Sequence, residues 1–407
     1  MEELLFLAHR IPYPPNKGDK IRSWHILKHL ARSYRVHLGA FVDDPGDWRY
    51  RDRIEQLCAS TCLLPLHPIA SKVSSLSGLL QGTALSLSYF RDRRMQHWVN
   101  TMLERSGIQK VFVFSSPLAQ YVLNTTSPEM RRVIDFVDID SDKWRQYAER
   151  KHWPFSWLYR REGETLLKFE QAVAREFDAS IFVSAEEADL FRRLVPDAAD
   201  SIGYLENGVD HDYFKPDAGY QDPYAGCREV LVFTGAMDYW ANIDAVKWLA
   251  QEGFPQVRNV VQTARFAIVG ARPSREVRAL ASDRGVMVTG SVKDIRPYLA
   301  HARVAVAPLR IARGVQNKVL EAMAMARPVV ATRVAVEGID IAGKDGLEIA
   351  DDKHEFAEKL IALLKSPEPE LVMSSREWVC QRYDWERNLD KLQDLFGRRQ
   401  FELKAIA

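Results

Sequence analysis

Short apolar runs separated by stretches of helical periodicity dominate the first half of the chain. Leu4–Ala8, Val36–Phe41, Cys62–Leu66, Val111–Phe114, Val133–Val137 and Ala179–Val183 each read as a buried strand. The alternation resumes after Glu229 with a strand ending at Thr234, then Phe266–Val269, Val286–Thr289, Val304–Ala307 and Pro328–Ala331. Strands alternating with helices predict an α/β chain built on doubly wound parallel sheets. Between the halves, Y-L-E-N-G-V-D-H-D-Y-F-K-P, Tyr204–Pro216, holds the turn pair Asn207 and Gly208 and ends at Pro216.

The stretch P-L-R-I-A-R-G-V-Q-N-K-V-L-E-A-M-A-M-A-R-P-V-V-A-T, Pro308–Thr332, carries the most chemistry. A basic loop with Arg310 and Arg313 leads to a helix expected to open near Gly314. At about 100° per residue, Val315, Val319, Leu320, Ala322 and Met323 share one apolar face. Asn317, Lys318 and Glu321 fall on the other. Gly314 lets backbone approach a ligand, and a first helical turn offers unpaired N–H groups. With cations around it, such an end describes an anion site. Glu321, further in, has two oxygens that can accept from the vicinal diol of a ribose, so the pair suggests a nucleoside diphosphate. The plainer reading is an amphipathic helix with solvated arginines.

The order basic loop, Gly, helix with Glu321, A-M-A and then P-V-V-A resembles the donor signature of family 4 retaining glycosyltransferases. Arg313 stands where that family has the first of two glutamates, and Glu321 matches the second. The variant G-V-Q-N-K-V-L-E-A-M-A-M is most similar to the sugar transferases encoded with bacterial exopolysaccharide and exosortase (PEP-CTERM) systems. N-G-V-D followed by F-K-P resembles the family's entry into its second domain.

The resemblance implies a GT-B fold, two Rossmann-like domains facing across a cleft. Residues 1–206 would be the acceptor-side domain, 207–380 the nucleotide-sugar domain, and 381–400 a helix crossing back. It also implies donor contacts from Gly18, Gly235, Ser291, Val292, Arg310, Gly314, Asn317 and Glu321. Asp138, Arg313 and Lys318 would act in catalysis. The family carries an Arg and a Lys just after the glycine matching Gly235; this chain has Ala236 and Asn242 in that region. Arg310, Arg313 and Lys318 are expected to supply the missing charge.

Composition adds limits. With 407 residues, two domains are expected. A formal net charge of +1 argues against nucleic acid as the main partner. The four cysteines, Cys58, Cys62, Cys227 and Cys380, lack zinc or disulfide spacing and read as reduced, buried thiols. Leu4–Ala8 lacks a basic start and reads as a strand, not a signal peptide. No apolar run approaches the ~20 residues of a membrane span. A cytoplasmic protein, peripheral on the inner membrane, is the expectation. No metal or other cofactor is expected.

Several further stretches carry two readings each. Ser71–Leu103, Ser-rich and then basic, is either a core or lid helix or a surface helix resting on anionic lipid. Asp138 and Asp140 form an Asp-x-Asp; Asp138 is placed beside the reacting sugar, while Asp140 and Ser141 suit a helix cap. Lys143–Glu170 holds Trp144, Tyr147, Trp153, Trp157 and Tyr159 beside arginines, as an acceptor groove, a membrane-interface face or a large interdomain helix would. Ser184 and Glu187 form a capping box, and Asp384–Phe396 an amphipathic helix.

The expected activity is transfer of a sugar from a nucleotide-diphosphate donor to a hydroxyl, on a glycan or lipid-linked glycan. Its rivals are an epimerase of the same fold and an inactive scaffold subunit of a polysaccharide complex.

Overall fold

The computed structural model describes residues 1–67, 75, 78–79, 82–105, 107–125, 129–149, 151–217, 219–312, 314–339, 346–365 and 369–397. Arg313 and much of the segment from Ser71 to Gln81 lie outside the described residues. The chain divides into two compact units, Met1–Glu206 with the residues from Leu389 onward, and Asn207–Asn388.

The first unit is built on seven parallel strands: β1 Glu2–Ala8, β2 Tyr34–Val42, β3 Ser60–Pro65, β4 Lys110–Phe114, β5 Arg131–Val137, β6 Ala179–Phe182 and β7 Ile202–Tyr204. Their order is β3-β2-β1-β4-β5-β6-β7. The second unit repeats the scheme with β8 Val230–Thr234, β9 Arg265–Val269, β10 Val286–Gly290, β11 Val304–Ala307, β12 Val329–Ala331 and β13 Leu347–Ile349, in the order β10-β9-β8-β11-β12-β13. The apolar runs form strands because a parallel sheet covered on both faces buries every side chain; Leu4 to Ala8 and Val230 to Phe233 are at most 1% exposed.

Both sheets reverse direction once, between β1 and β4 and between β8 and β11. Open α/β sheets bind ligands at the carboxyl ends of the strands beside such a reversal. In the second unit that spot is framed by the residues after Thr234 and after Ala307.

The structure departs from the sequence reading in several places. The helix after β11 begins at Asn317 and runs to Ala324. Gly314 lies outside it with φ 60, a left-handed turn that a helix cannot include. β7 and β13 are too short to show periodicity. Asp384–Phe396 is two helices, Trp385–Leu389 and Lys391–Gly397. They serve different cores: Trp385 packs on Gly208 of the second unit, whereas Phe396 meets Tyr34 of the first with ring centroids 5.8 Å apart. The cysteines are half-buried, where full burial was expected.

Helix Arg93–Arg105 uses its apolar face on the core: Met95 and Val99 are 0% exposed, with Trp98, Met102 and Leu103 packed beside them. That face is therefore not free to rest on lipid. Ser184 caps the helix Ala185–Leu194, accepting from Glu187 N–H at 3.3 Å. Glu187's carboxylate accepts from Ile139 N–H at 3.0 Å.

Candidate functional site

In the second unit, Lys318 stands in the first turn of its helix and reaches back across the sheet reversal. Its ammonium donates to Asn242 Oδ1 at 2.6 Å and lies 4.3 Å from the centroid of the Phe233 ring. Asn242 Nδ2 in turn donates to Ala236 O at 2.9 Å, which orients the amide. The floor beneath is bare backbone. A Cβ on Gly235 would come within 2.8 Å of Asn242 Nδ2 and 3.5 Å of Lys318 Nζ. One on Gly270 would fall 1.7 Å from Gly235 O, an impossible distance. The ends of β8 and β9 therefore meet backbone to backbone, with Asn242 and Lys318 packed directly on the Gly235 turn.

Glu321, one turn further along, is half-buried and has no hydrogen-bond or ion-pair partner among the described residues. Burial pushes its carboxyl up to about 7, against the pull of the nearby Lys318 charge. Burial likewise brings Lys318 down to about 7, with Glu321 opposing. Lys318 on the Gly235 turn and the Glu321 carboxylate, unpartnered among the described residues, form a pair of shifted charges of the kind that marks binding sites.

The helix Trp240–Trp248 fixes both nearby cations. It gives Asn242 to Lys318 and Asp244 to Arg310, whose Nε donates to Asp244 Oδ2 at 2.9 Å and whose second nitrogen binds the other oxygen. Arg310 is thus neutralised by Asp244 and does not join Lys318. Asn317 accepts at Oδ1 from Asn207 Nδ2 at 3.3 Å, so the N-G-V-D turn is anchored to the start of the Lys318 helix. Gly208 is required there because a Cβ would sit 2.7 Å from Trp385 Cγ.

Ser291 and Val292 follow the left-handed Gly290, φ 71; Ser291 is exposed and Val292 half-buried. Tyr213, not picked out from the sequence, stands close to this loop. Its hydroxyl donates to Asp294 at 3.3 Å and the Arg296 guanidinium lies 3.9 Å from its ring centroid. Burial raises the Tyr213 pKa, and the neighbouring Asp294 charge adds to that.

In the first unit, Gly18 opens the helix Gly18–Ser33, and nothing lies within 4 Å of where its Cβ would be. The basic residues around it are engaged. Arg10 bridges Asp19 at 2.5 Å and Asp43 at 2.9 Å, Lys20 pairs with Asp47 at 2.5 Å, and Arg22 donates to Asp135 at 2.7 Å and Leu205 O at 2.6 Å. Lys20 and Arg22 are 1% exposed. Burial alone would raise the Asp19 carboxyl, yet His9 and Arg10 hold it well below the usual range. The charges balance in place, so this loop is a structural knot more than a free basic surface.

Asp138 lies just past β5, where Val137 takes φ 69, a left-handed conformation rare for a β-branched residue. Such backbone is held only where neighbours over-determine it; here Val137 N–H donates to Asp135 Oδ1 at 2.9 Å. Asp138 accepts from Lys143 at 2.6 Å and Asp140 from the same ammonium at 3.3 Å. The Asp-x-Asp thus grips a lysine. Ser141, expected to cap, gives its hydroxyl to the buried Glu170 at 2.5 Å. Burial and the neighbouring Asp140 push Glu170 up to about 8.

Residues 228–366 match the family model described as glycosyl transferases group 1. The matched residues lie within the second unit. Solved structures agree in fold along the whole chain. Sucrose-phosphate synthase (tll1590) from Thermosynechococcus elongatus superposes with a TM-score of 0.71 at 16% identity, covering 97% of this chain and 98% of that one. Anabaena HepE, in complex with UDP and glucose, gives 0.66 at 15%, with 97% and 99% covered. WaaG, a glycosyltransferase involved in lipopolysaccharide biosynthesis, gives 0.63 at 15%, again with 97% and 99% covered. No curated protein sequence matches the chain. The fold is GT-B, with two Rossmann-like domains. The Lys318–Asn242 contact, Gly235 and Glu321 all lie inside the residues that match the family model.

Proposed function

We propose that this glycosyltransferase retains anomeric configuration, in the manner of family 4. It would take a sugar from a nucleotide-diphosphate donor to a hydroxyl on a lipid-linked glycan, at the cytoplasmic face of the inner membrane, in bacterial exopolysaccharide synthesis. The observation that carries the reading is Lys318 over the Gly235 turn with Glu321, unpartnered among the described residues, one helical turn away.

Breaking the anomeric bond puts negative charge on the leaving diphosphate. Lys318, Arg313 and the N–H groups at the start of the Asn317–Ala324 helix would meet that charge in place of a metal ion. Glu321 would accept from the ribose hydroxyls, with Ser291 and Val292 lining the base. Retention on one face of the sugar needs no protein nucleophile, since a diphosphate oxygen takes the acceptor proton. Asp138 would position the sugar. HepE's complex with UDP makes uridine the first nucleoside to try.

A thermal-shift panel of nucleoside diphosphates followed by transfer assays tests the reading. Stabilisation by none of them favours a scaffold, and isomerisation of donor without acceptor favours an epimerase.

A further inference from the structure

The helices Asp140–Glu149 and Phe155–Glu176 form a hairpin braced by aromatic rings. Trp144 meets Tyr159 at 5.2 Å and Tyr147 at 5.9 Å. The tip beyond this brace is apolar and uncovered. Trp153 is 81% exposed, Phe155 57% and Trp157 56%, three large apolar side chains within five residues. Scattered exposed apolar residues are ordinary; a cluster of this size marks a contact surface.

The charge around the tip selects the partner. From Lys151 to Arg161 the sequence contains Lys151, Arg160 and Arg161 and no acidic residue. Lys151 and Arg160 are exposed. Arg161 donates to the carbonyls of Gly78 at 3.0 Å and Thr83 at 3.3 Å, and no carboxylate pairs with it among the described residues. The acids that flank this run are Glu149, which is exposed, and Glu162, which is 1% exposed and accepts from Leu85 and Ser86 N–H at 2.6 and 2.8 Å. Tryptophan prefers the boundary between headgroups and acyl chains, and flanking lysine and arginine are attracted to anionic lipid.

We infer that the hairpin tip Lys151–Arg160 docks this protein on an anionic lipid surface, with Trp153, Phe155 and Trp157 entering the interface and Lys151 and Arg160 resting on the headgroups. This gives the membrane contact of the transfer reading a definite surface. It does not rest on that reading, because docking is measured without donor or acceptor.

The test is flotation of the full chain with vesicles of phosphatidylcholine alone or mixed with phosphatidylglycerol, alongside tryptophan emission. The mixed vesicles should carry the protein and shift its emission to the blue, and added salt should weaken the association. Lys151→Glu with Arg160→Glu should weaken it by about thirtyfold or more, since one basic residue near such a surface contributes roughly fivefold. Trp153→Ser, Phe155→Ser and Trp157→Ser together should abolish the blue shift while leaving the thermal midpoint and any nucleotide-induced shift unchanged, because the three side chains already face solvent. Wild-type protein that ignores both vesicles, or a triple variant that floats as well as wild type, overturns the inference. Wild-type self-association that the triple variant loses, with no vesicle binding, overturns it in favour of a second copy as the occupant.

Discussion

Lys318 and Asn242, 76 positions apart in the chain, share a 2.6 Å hydrogen bond that places the ammonium over the Gly235 turn. The amide holds the cation without neutralising it, so the charge stays available to an anion. Asn242→Asp would put a carboxylate on the ammonium and cancel it. Affinity for a nucleoside diphosphate is then expected to fall by about tenfold to a hundredfold, the value of roughly 1.5–3 kcal/mol for a charged hydrogen bond. Calorimetric titration checks this; an unchanged affinity would remove Lys318 from the diphosphate site.

Lys318→Ala and Glu321→Ala should separate binding from turnover. If Lys318 meets charge that grows as the anomeric bond breaks, its loss lowers kcat by about a hundredfold to a thousandfold. Glu321→Ala should chiefly raise KM for donor, since ribose contacts do not change during the reaction. Both variants transferring sugar at the wild-type rate would contradict the assignment.

The same two groups set a pH signature in the nucleotide-free protein. Glu321 is raised from 4.5 to about 7, so the folded chain holds an extra proton between those values and stability falls as pH rises through them. Lys318 is lowered from 10.5 to about 7, so the folded chain holds fewer protons above 7 and stability rises from there. Their joint contribution has its minimum near pH 7. Subtracting the melting curve of Glu321→Gln from that of wild type should isolate the fall between about pH 4.5 and 7. A flat difference would show that Glu321 is not raised.

Glycine spacing separates structure from approach. Gly270→Ala drives a methyl onto Gly235 O and should cost at least the upper end of the roughly 1–3 kcal/mol typical of overpacking, read by urea denaturation. Gly18→Ala meets no atom within 4 Å and should leave stability equal or up to about 1 kcal/mol higher. Lower transfer by that stable variant would place a ligand close to Gly18; unchanged transfer would confine Gly18 to starting the helix.

Arg22 and Asp135 are 1% and 0% exposed and bond at 2.7 Å. Arg22→Met strands a buried carboxylate and should cost about 3–5 kcal/mol, measured by denaturation. Adding Asp135→Asn should recover much of that loss. A mild single-variant effect would mean water reaches the pair.

Strands, their parallel class and the Pro308–Thr332 helix face were legible along the chain because burial on two faces demands unbroken apolar runs and a helix repeats locally. The sequence by itself thus determined an α/β chain, the Asn207 turn, and a helix presenting Lys318 and Glu321 on one side. Only the tertiary structure decided what those charges meet: Lys318 gained Asn242, Arg310 was taken by Asp244, Lys20 and Arg22 were consumed by Asp47 and Asp135, and Glu321 was left without a partner among the described residues. Partners tens of residues apart depend on where strands end and how loops turn, and neither is encoded in the period of apolar positions.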